Sequence, residues 1–323
     1  MNVGILGAGN IANTMAKTLN GMEQATAYAV ASRDLGRARA FAEQYGIPKA
    51  YGSYDELYDD KNVDLIYIAT PMSHHAEQMK AAIRQGKHIL CEKAFTVNAA
   101  QAREVLALGK EKKVLVAEAI WTRYMPMRRT LDELLAKGLI GDVKALSANL
   151  AYPAHKVERL WRPELGGGSL LDIGVYTINF ALMHFGDNIK KIESVMIPYA
   201  TGVDAAGNAS FIYDDGKIAS LQFGMTFRGD RRGIVYGDKG YIEFLNINNC
   251  AAIRVYDGTD TCIASVERPP QITGFEYQVE SCRRAIETGQ LECPEMPHRD
   301  IIRVMEIMDA IRKIWGLEFP GGL

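Results

Sequence analysis

The sequence predicts an α/β chain in two parts: a doubly wound N-terminal domain over 1–120, and a C-terminal α+β domain with an open, mainly antiparallel sheet over 121–323. Three observations predict it. Short, near-continuously apolar runs alternate with helical patterns up to about residue 118. Strand-like runs then follow one another from residue 143. A glycine-rich turn joins the first apolar run to the first helix. Apolar strands separated by helices indicate a parallel sheet covered on both faces. Successive strands joined by turn pairs indicate antiparallel pairing.

Taken in order, 2–6 is apolar and β-branched, and a helical pattern follows over 10–20. Residues 25–31 form a second strand and 35–45 a second helix. A third strand is expected over 64–69 with a helix from about 73 to 84, and a fourth over 87–91 with a helix across 99–111. A short last strand covers 114–117. The texture changes after Pro126, where a helix over 127–137 ends at Gly138. Strands are then expected at 143–151, 190–202, 207–213, 217–226, 232–237 and 240–246. The pairs Asp215-Gly216 and Lys239-Gly240 are hairpin chemistry. Helices are expected near 170–185, 274–287 and 298–315, the last of them able to pack back on the first domain.

Composition excludes several functional classes. The 323 residues suggest about two domains. The chain is 48% hydrophobic and 24% charged, with net charge −2, so no nucleic-acid partner is expected. Five cysteines (Cys91, Cys250, Cys262, Cys282, Cys293) form no CxxC pair, which fits a reducing cytoplasm and no metal. His74 and His75 are adjacent, so they do not face one ligand, and no histidine has metal spacing. The N-terminus lacks the basic start of a signal peptide. No apolar run approaches the roughly 20 residues of a membrane helix, so no membrane partner is expected.

Gly7-Ala8-Gly9-Asn10-Ile11-Ala12 follows the first strand and opens the first helix. This GxGxxA is a permitted form of the Rossmann dinucleotide fingerprint. Gly7 allows the tight turn, Gly9 lets the backbone approach a pyrophosphate, and Ala12 keeps helix close to strand. The first-turn amides, including those of Asn10 and Ile11, are offered to phosphate. An NAD site places Asp or Glu at the end of the second strand for the ribose 2′-OH. Ser32 stands there instead, followed by Arg33, with Arg37 one helical turn on. A hydroxyl and two guanidiniums suit a 2′-phosphate, so NADP(H) is preferred and NAD(H) is possible. Asp34 reads as the cap of the second helix.

The fourth strand runs into Glu92-Lys93-Ala94 at the carboxyl end of a parallel sheet, the edge where ligands bind. Downstream, Gly166 to Gly168 form a glycine loop ahead of Asp172 and Tyr176, which lie four apart on one helix face. Spacing alone does not bring Lys93 and Tyr176 together. Cys91 reads as a small buried residue. The aromatic and methionine residues of 121–127 read as interdomain packing.

The chain resembles the glucose–fructose oxidoreductase / inositol dehydrogenase / rhizopine catabolism family, nearly end to end. The resemblance is carried by RDLGRA at 33–38, IPKAYGSY at 47–54, CEK at 91–93, EAIWTRYMP at 118–126 and GGSLLDIGVY at 167–176. Within the family these stretches are most similar to dimeric dihydrodiol dehydrogenases and NADP-dependent D-xylose dehydrogenases. The resemblance implies a Rossmann domain, a substrate-binding and oligomerisation domain, and an active site between them. It implies Thr70, Pro71, His75, Glu92 and Lys93 at the cofactor, with Trp161 and Arg162 lining cofactor or substrate. It implies Tyr176 as the proton-transfer group, Lys93 as the cation that eases its deprotonation, and Asp172 as a ligand of substrate or an orienter of Lys93. A homodimer or homotetramer through the C-terminal sheet is expected, with a small polyhydroxylated substrate. The other reading is a dinucleotide-binding sensor or transcriptional co-regulator without turnover; retention of Lys93 and Tyr176 favours the enzyme.

Three positions depart from the family pattern. Glu-Lys-Pro is Glu92-Lys93-Ala94, so the peptide after the lysine is either cis despite the missing proline or trans. Thr-Pro-Asn is Thr70-Pro71-Met72, which loses an amide. Tyr176 stands where many relatives have histidine, and Asn179 where those relatives have aspartate.

Overall fold

The computed structural model describes residues 1–154 and 156–320. The chain divides into two compact units, Met1–Tyr124 with Gln271–Met305, and Met125–Pro270 with Glu306–Leu323.

The first unit is built on β1 (Asn2–Leu6), α1 (Asn10–Asn20), β2 (Thr26–Ala31), α2 (Leu35–Tyr45), β3 (Lys49–Tyr51), α3 (Tyr54–Asp59), β4 (Leu65–Ile68), α4 (His75–Arg84), β5 (His88–Glu92), α5 (Ala99–Lys112) and β6 (Val116–Ala119). The six strands form one parallel sheet in the order β3-β2-β1-β4-β5-β6. The order reverses between β1 and β4, and ligands bind at such a switch point, outside the carboxyl ends of the strands. Val3, Ile5, Leu65, Ile66, Ile68, Ile89 and Leu90 are wholly buried, which explains why these strands read as apolar throughout. Local signals fix the helices. Asp34 accepts from the Arg37 amide at the start of α2, and Gly46 ends it in the left-handed region. Asn98 caps α5.

β3 and α3 are absent from the expected elements. α3 has only six residues, yet Ser53 and Glu56 form a complete capping box at its start. That signal was present in the sequence.

The second unit contains α6 (Pro126–Ala136), β7 (Val143–Ala151), α7 (Val175–Phe185), β8 (Ile189–Pro198), β9 (Asp204–Tyr213), β10 (Ile218–Gly224), β11 (Gly233–Gly237), β12 (Gly240–Phe244), β13 (Ala252–Asp257) and β14 (Cys262–Glu267). The sheet order is β14-β13-β12-β11-β7-β10-β9-β8. Every neighbouring pair is antiparallel except β7 with β10, which are parallel. α7 packs on β7 and β10, and Phe180, Phe211, Phe223, Ile242 and Val255 fill the core between them and their neighbours. The expected absence of any membrane-length apolar stretch needs correction: Pro163–Phe185 is long and apolar enough, but 89% of its most apolar window is buried, as in a core helix.

The expected division at residue 120 differs from the observed one in a specific way. The segment Gln271–Met305, with α8 (Glu276–Glu287) and the first turns of α9 (His298–Trp315), belongs to the first unit. The Val116 amide donates to Leu291 O at 3.1 Å, which covers the open edge of β6. The Trp121 ring meets Phe275 edge-on at 4.7 Å. Arg123, whose side chain is 2% exposed, pairs with Asp300 at 2.6 Å. Residues 121–124 therefore finish the first unit.

Candidate active site

β1 runs into Gly7, whose φ of +102° strains any side chain and where a Cβ would crowd the Ala69 carbonyl oxygen at 3.1 Å. Gly9 caps α1 without a side-chain bond, so the first-turn amides of Asn10 and Ile11 have no cap partner. A Cβ at Gly9 would meet nothing nearer than the Ala69 oxygen at 4.0 Å, so the turn leaves a shallow open cradle. Uncapped amides at a helix N-terminus suit phosphate oxygens.

At the end of β2, Ser32 is buried and Arg33 is exposed. The Ser32 hydroxyl accepts from the Asp34 amide at 3.4 Å. Arg33 borders a groove of about 450 Å³ whose other walls include Tyr54 and Tyr58 of α3 and Gln78 of α4. Arg37 does not extend toward that groove. Its guanidinium donates to the Ala8 carbonyl and so ties α2 to the glycine turn.

After β4, Thr70 donates its hydroxyl to Gln78 Oε1 at 2.5 Å, and Pro71 leads into a short turn ahead of α4. His75 is 1% exposed. Its Nε2 lies 2.9 Å from Thr70 O, and its Nδ1 lies 3.1 and 3.3 Å from the Ala94 and Phe95 carbonyls. The imidazole is a brace between the loops that follow β4 and β5.

At the end of β5, Glu92 is buried and Lys93 is half-buried. Tyr67 of β4 donates its hydroxyl to Glu92 Oε1. The Lys93–Ala94 peptide is cis, which decides the alternative left open by the missing proline. Glu118 of β6 accepts the Phe95 amide at 3.1 Å. Burial pushes its carboxyl up to about 7, against the lowering influence of Arg123 and this hydrogen bond.

In the second unit, the helix that carries the other candidates begins with a π-turn, Leu170–Gly174, and continues as α7. Wide turns of this kind occur often at functional sites. Asp172 and Tyr176 are both buried, at 4% and 7% exposure. Asp172 accepts from Arg159 Nη2 at 3.0 Å. Asp204, wholly buried on β9, anchors the helix start by accepting from Ser169 Oγ at 2.8 Å and the Leu170 amide at 2.6 Å. Burial raises its carboxyl to about 6 despite these bonds. Gly168, with φ +118°, lies so close that a Cβ would sit 2.1 Å from Asp204 Oδ1.

Trp161 and Arg162 each have protein partners of their own. The indole donates to Ala154 O at 3.2 Å and packs on Tyr199 at 4.1 Å, which makes it a core residue. Arg162 lies on the surface between Glu164, at 2.7 Å, and Glu158, at 3.1 Å. Asn179 bonds back to the Val175 carbonyl within its own helix. Glu118, Arg159, Gln78 and Asp204 were absent from the expected site residues. Each gains its role from burial or from a partner remote in sequence.

Comparisons with known proteins find relatives over nearly the whole chain. A mouse trans-1,2-dihydrobenzene-1,2-diol dehydrogenase is 32% identical over 332 residues, covering 98% of this chain and 97% of its own. The human enzyme of that name is 33% identical, covering 90% and 89%. The structure of KijD10, a 3-ketoreductase from Actinomadura kijaniata in complex with NADP and TDP-benzene, superposes with a TM-score of 0.88 at 26% identity, covering 97% of each chain. Residues 1–120 match the oxidoreductase family with an NAD-binding Rossmann fold, and 128–243 match the C-terminal domain of the same family. The chain belongs to the glucose–fructose oxidoreductase / inositol dehydrogenase / rhizopine catabolism family of oxidoreductases.

Proposed function

We propose that the chain is an NADP(H)-dependent dehydrogenase or reductase acting on a small polyhydroxylated substrate: an aldose, a cyclic diol or a dicarbonyl. The observation that carries the cofactor reading is the end of β2, where Ser32 and the exposed Arg33 stand in place of an acid, beside the uncapped first turn of α1. The KijD10 structure with NADP and the dihydrobenzenediol dehydrogenases support it.

Bound NADP(H) supplies or accepts the hydride. The amides of Asn10 and Ile11 would hold its pyrophosphate and Ser32 and Arg33 its 2′-phosphate, with Thr70 and Pro71 on the loop after the neighbouring strand β4. Tyr176 gives or takes the proton at the substrate oxygen. Lys93 eases that transfer by placing a positive charge beside the reacting oxygen. Asp172, ion-paired to Arg159, is the acceptor for a substrate hydroxyl. Exposed apolar residues on the C-terminal sheet, Val195 and Ile197 among them, support association of copies through that sheet. Light scattering on the purified protein tests it.

The function is tested by titrating NADPH and NADH against protein fluorescence, then screening sugars, cyclic diols and dicarbonyls by nicotinamide absorbance. Tighter NADPH binding with turnover of at least one polyol or carbonyl class is expected. Equal affinity for the two nucleotides removes the 2′-phosphate assignment. Saturable binding with no turnover of any class favours a sensor.

A further inference from the structure

Beneath the loop that carries Lys93 lies a carboxyl with no assigned role. Glu118, on β6, is 1% exposed. Its Oε1 accepts the amide of Phe95, two residues beyond Lys93. Its Oε2 is buried with no hydrogen-bond partner. We propose that Glu118 is a positioning residue for Lys93: it fixes the backbone that carries the ammonium, and its charge state sets how firmly the ammonium is held. The inference rests on the reading of Lys93 as part of the proton-transfer machinery.

The surroundings limit what else this carboxyl could do. Arg123 attracts its negative charge, but Arg123 is already paired with Asp300. Tyr124 donates its hydroxyl to the Glu118 backbone carbonyl, leaving the side chain to other partners. Glu92, on β5, repels the ionised form and is itself bonded by Tyr67 from β4. His75, from α4, lies against the Ala94 and Phe95 carbonyls of the same loop. The Cys91 thiol is wholly buried and pushed well up by burial, so it stays neutral. Beyond Tyr124 lie the thiols of Cys282 and Cys293 and the carboxyl of Glu295. The positive charges of Lys93 and Arg123 favour the ionised form of Glu118.

A buried carboxylate with an unpartnered oxygen is costly, so the neutral form persists to unusually high pH. The shift to about 7 puts the change of charge in the working range. Above that pH, the carboxylate draws the Lys93 ammonium and restrains it. Below it, the anchor to the Phe95 amide remains but the counter-charge is gone. A limb in turnover with its midpoint at about 7, belonging to Glu118, is therefore expected.

Glu118→Gln tests the charge and Glu118→Ala the anchor. Glutamine keeps an acceptor for the Phe95 amide but cannot ionise. Its kcat should lie at the low-pH level of the unmutated protein and stay flat across the limb. Alanine removes the acceptor as well, and its kcat should fall roughly tenfold below that of the glutamine variant. Saturable NADPH binding by each variant shows that the fold is intact. A limb of unchanged midpoint and amplitude in Glu118→Gln, or equal kcat in the two variants, overturns the proposal. If Glu118→Gln does not fold, infrared titration of the unmutated protein decides. A protonated-carboxyl band that disappears in step with the turnover limb supports the assignment, and the lack of such a band overturns it. Lys93→Met separates the two readings. Near-normal turnover there removes Lys93 from the mechanism. An inactive Lys93→Met with a limb untouched by Glu118→Gln removes Glu118 alone.

Discussion

Arg37 donates twice to the carbonyl oxygen of Ala8, from Nε at 3.2 Å and from Nη2 at 2.9 Å. The side chain that spacing offers to a 2′-phosphate instead holds the glycine turn closed from the side of α2. The two arginines should therefore separate. Arg33→Ala should narrow the preference for NADPH over NADH, because it removes a charge-assisted contact to the extra phosphate. Arg37→Ala should weaken both nucleotides by a similar factor, because it loosens the turn that both use. Fluorescence titration of the four combinations checks this; loss of preference in Arg37→Ala alone would reverse the assignment.

Tyr176→Phe should lower turnover by roughly 10²–10⁴-fold while NADPH binding is retained. Lys93→Met should also cripple turnover, and the double variant should be little worse than either single one, since groups acting as a unit are non-additive. Strictly multiplicative losses would mean that the two residues act on separate steps. Near-normal turnover in folded Tyr176→Phe would leave Lys93 or a water as the proton carrier.

Arg159 and Asp172 form an ion pair in which the carboxylate is buried and the guanidinium partly exposed. Arg159→Ala should raise the KM for substrate several-fold with little change in NADPH affinity. The pair orients the carboxylate, and its loss frees Asp172 to rotate away from a substrate hydroxyl. A lowered melting temperature with unmoved KM would mark the pair as structural only.

Two wholly buried carboxyls titrate far above their ordinary values, Glu118 at about 7 and Asp204 at about 6. In the unfolded chain they ionise near 4.5 and 3.8. Each favours the fold fully below its unfolded value, and that contribution is lost as pH rises through its folded value. The loss is on the order of 3 kcal/mol each. Melting curves compared with those of Glu118→Gln and Asp204→Asn should therefore diverge between about pH 4 and 7. Difference curves that are flat with pH would contradict the burial of either charge.

Gly168→Ala should be among the most damaging single substitutions in the second unit. It places a Cβ 2.1 Å from Asp204 Oδ1 and forces alanine into a φ of +118°. The collision pushes Asp204 off the Leu170 amide and loosens the turn that carries Asp172. Calorimetry should show a large fall in stability, and activity should fall with it even at temperatures where the protein stays folded.

Much of the fold was legible because its signals are local. The central strands of the parallel sheet, β1 and β4, are almost wholly apolar and buried, and the turn at Gly7 favours glycine at a positive φ. β14 was not legible: every residue in Cys262–Glu267 is at least partly exposed, so no apolar face announces it. The site divides the same way. Gly9, Ser32, Arg33 and Lys93 stand where strand ends put them. His75 and Trp161 are side chains of the expected type whose partners are backbone carbonyls. Spacing cannot reveal this, because a carbonyl acceptor has no sequence. Glu118 and Asp204 look like ordinary acids until burial shifts them.

The first unit is assembled from two pieces of chain, and the second piece arrives late. Roughly 150 residues separate Tyr124 from Gln271. At ~5–20 residues per second, a ribosome needs about 7–30 s to cross that interval. Throughout it, the nascent parallel sheet has β6 as a bare edge, because Leu291 has not been made. Arg123 likewise waits for Asp300. The dinucleotide-binding half thus begins to emerge before the other unit and is finished only after most of that unit has been made. Protease sensitivity of nascent chains stalled just before and just after residue 305 would measure how late the closure comes.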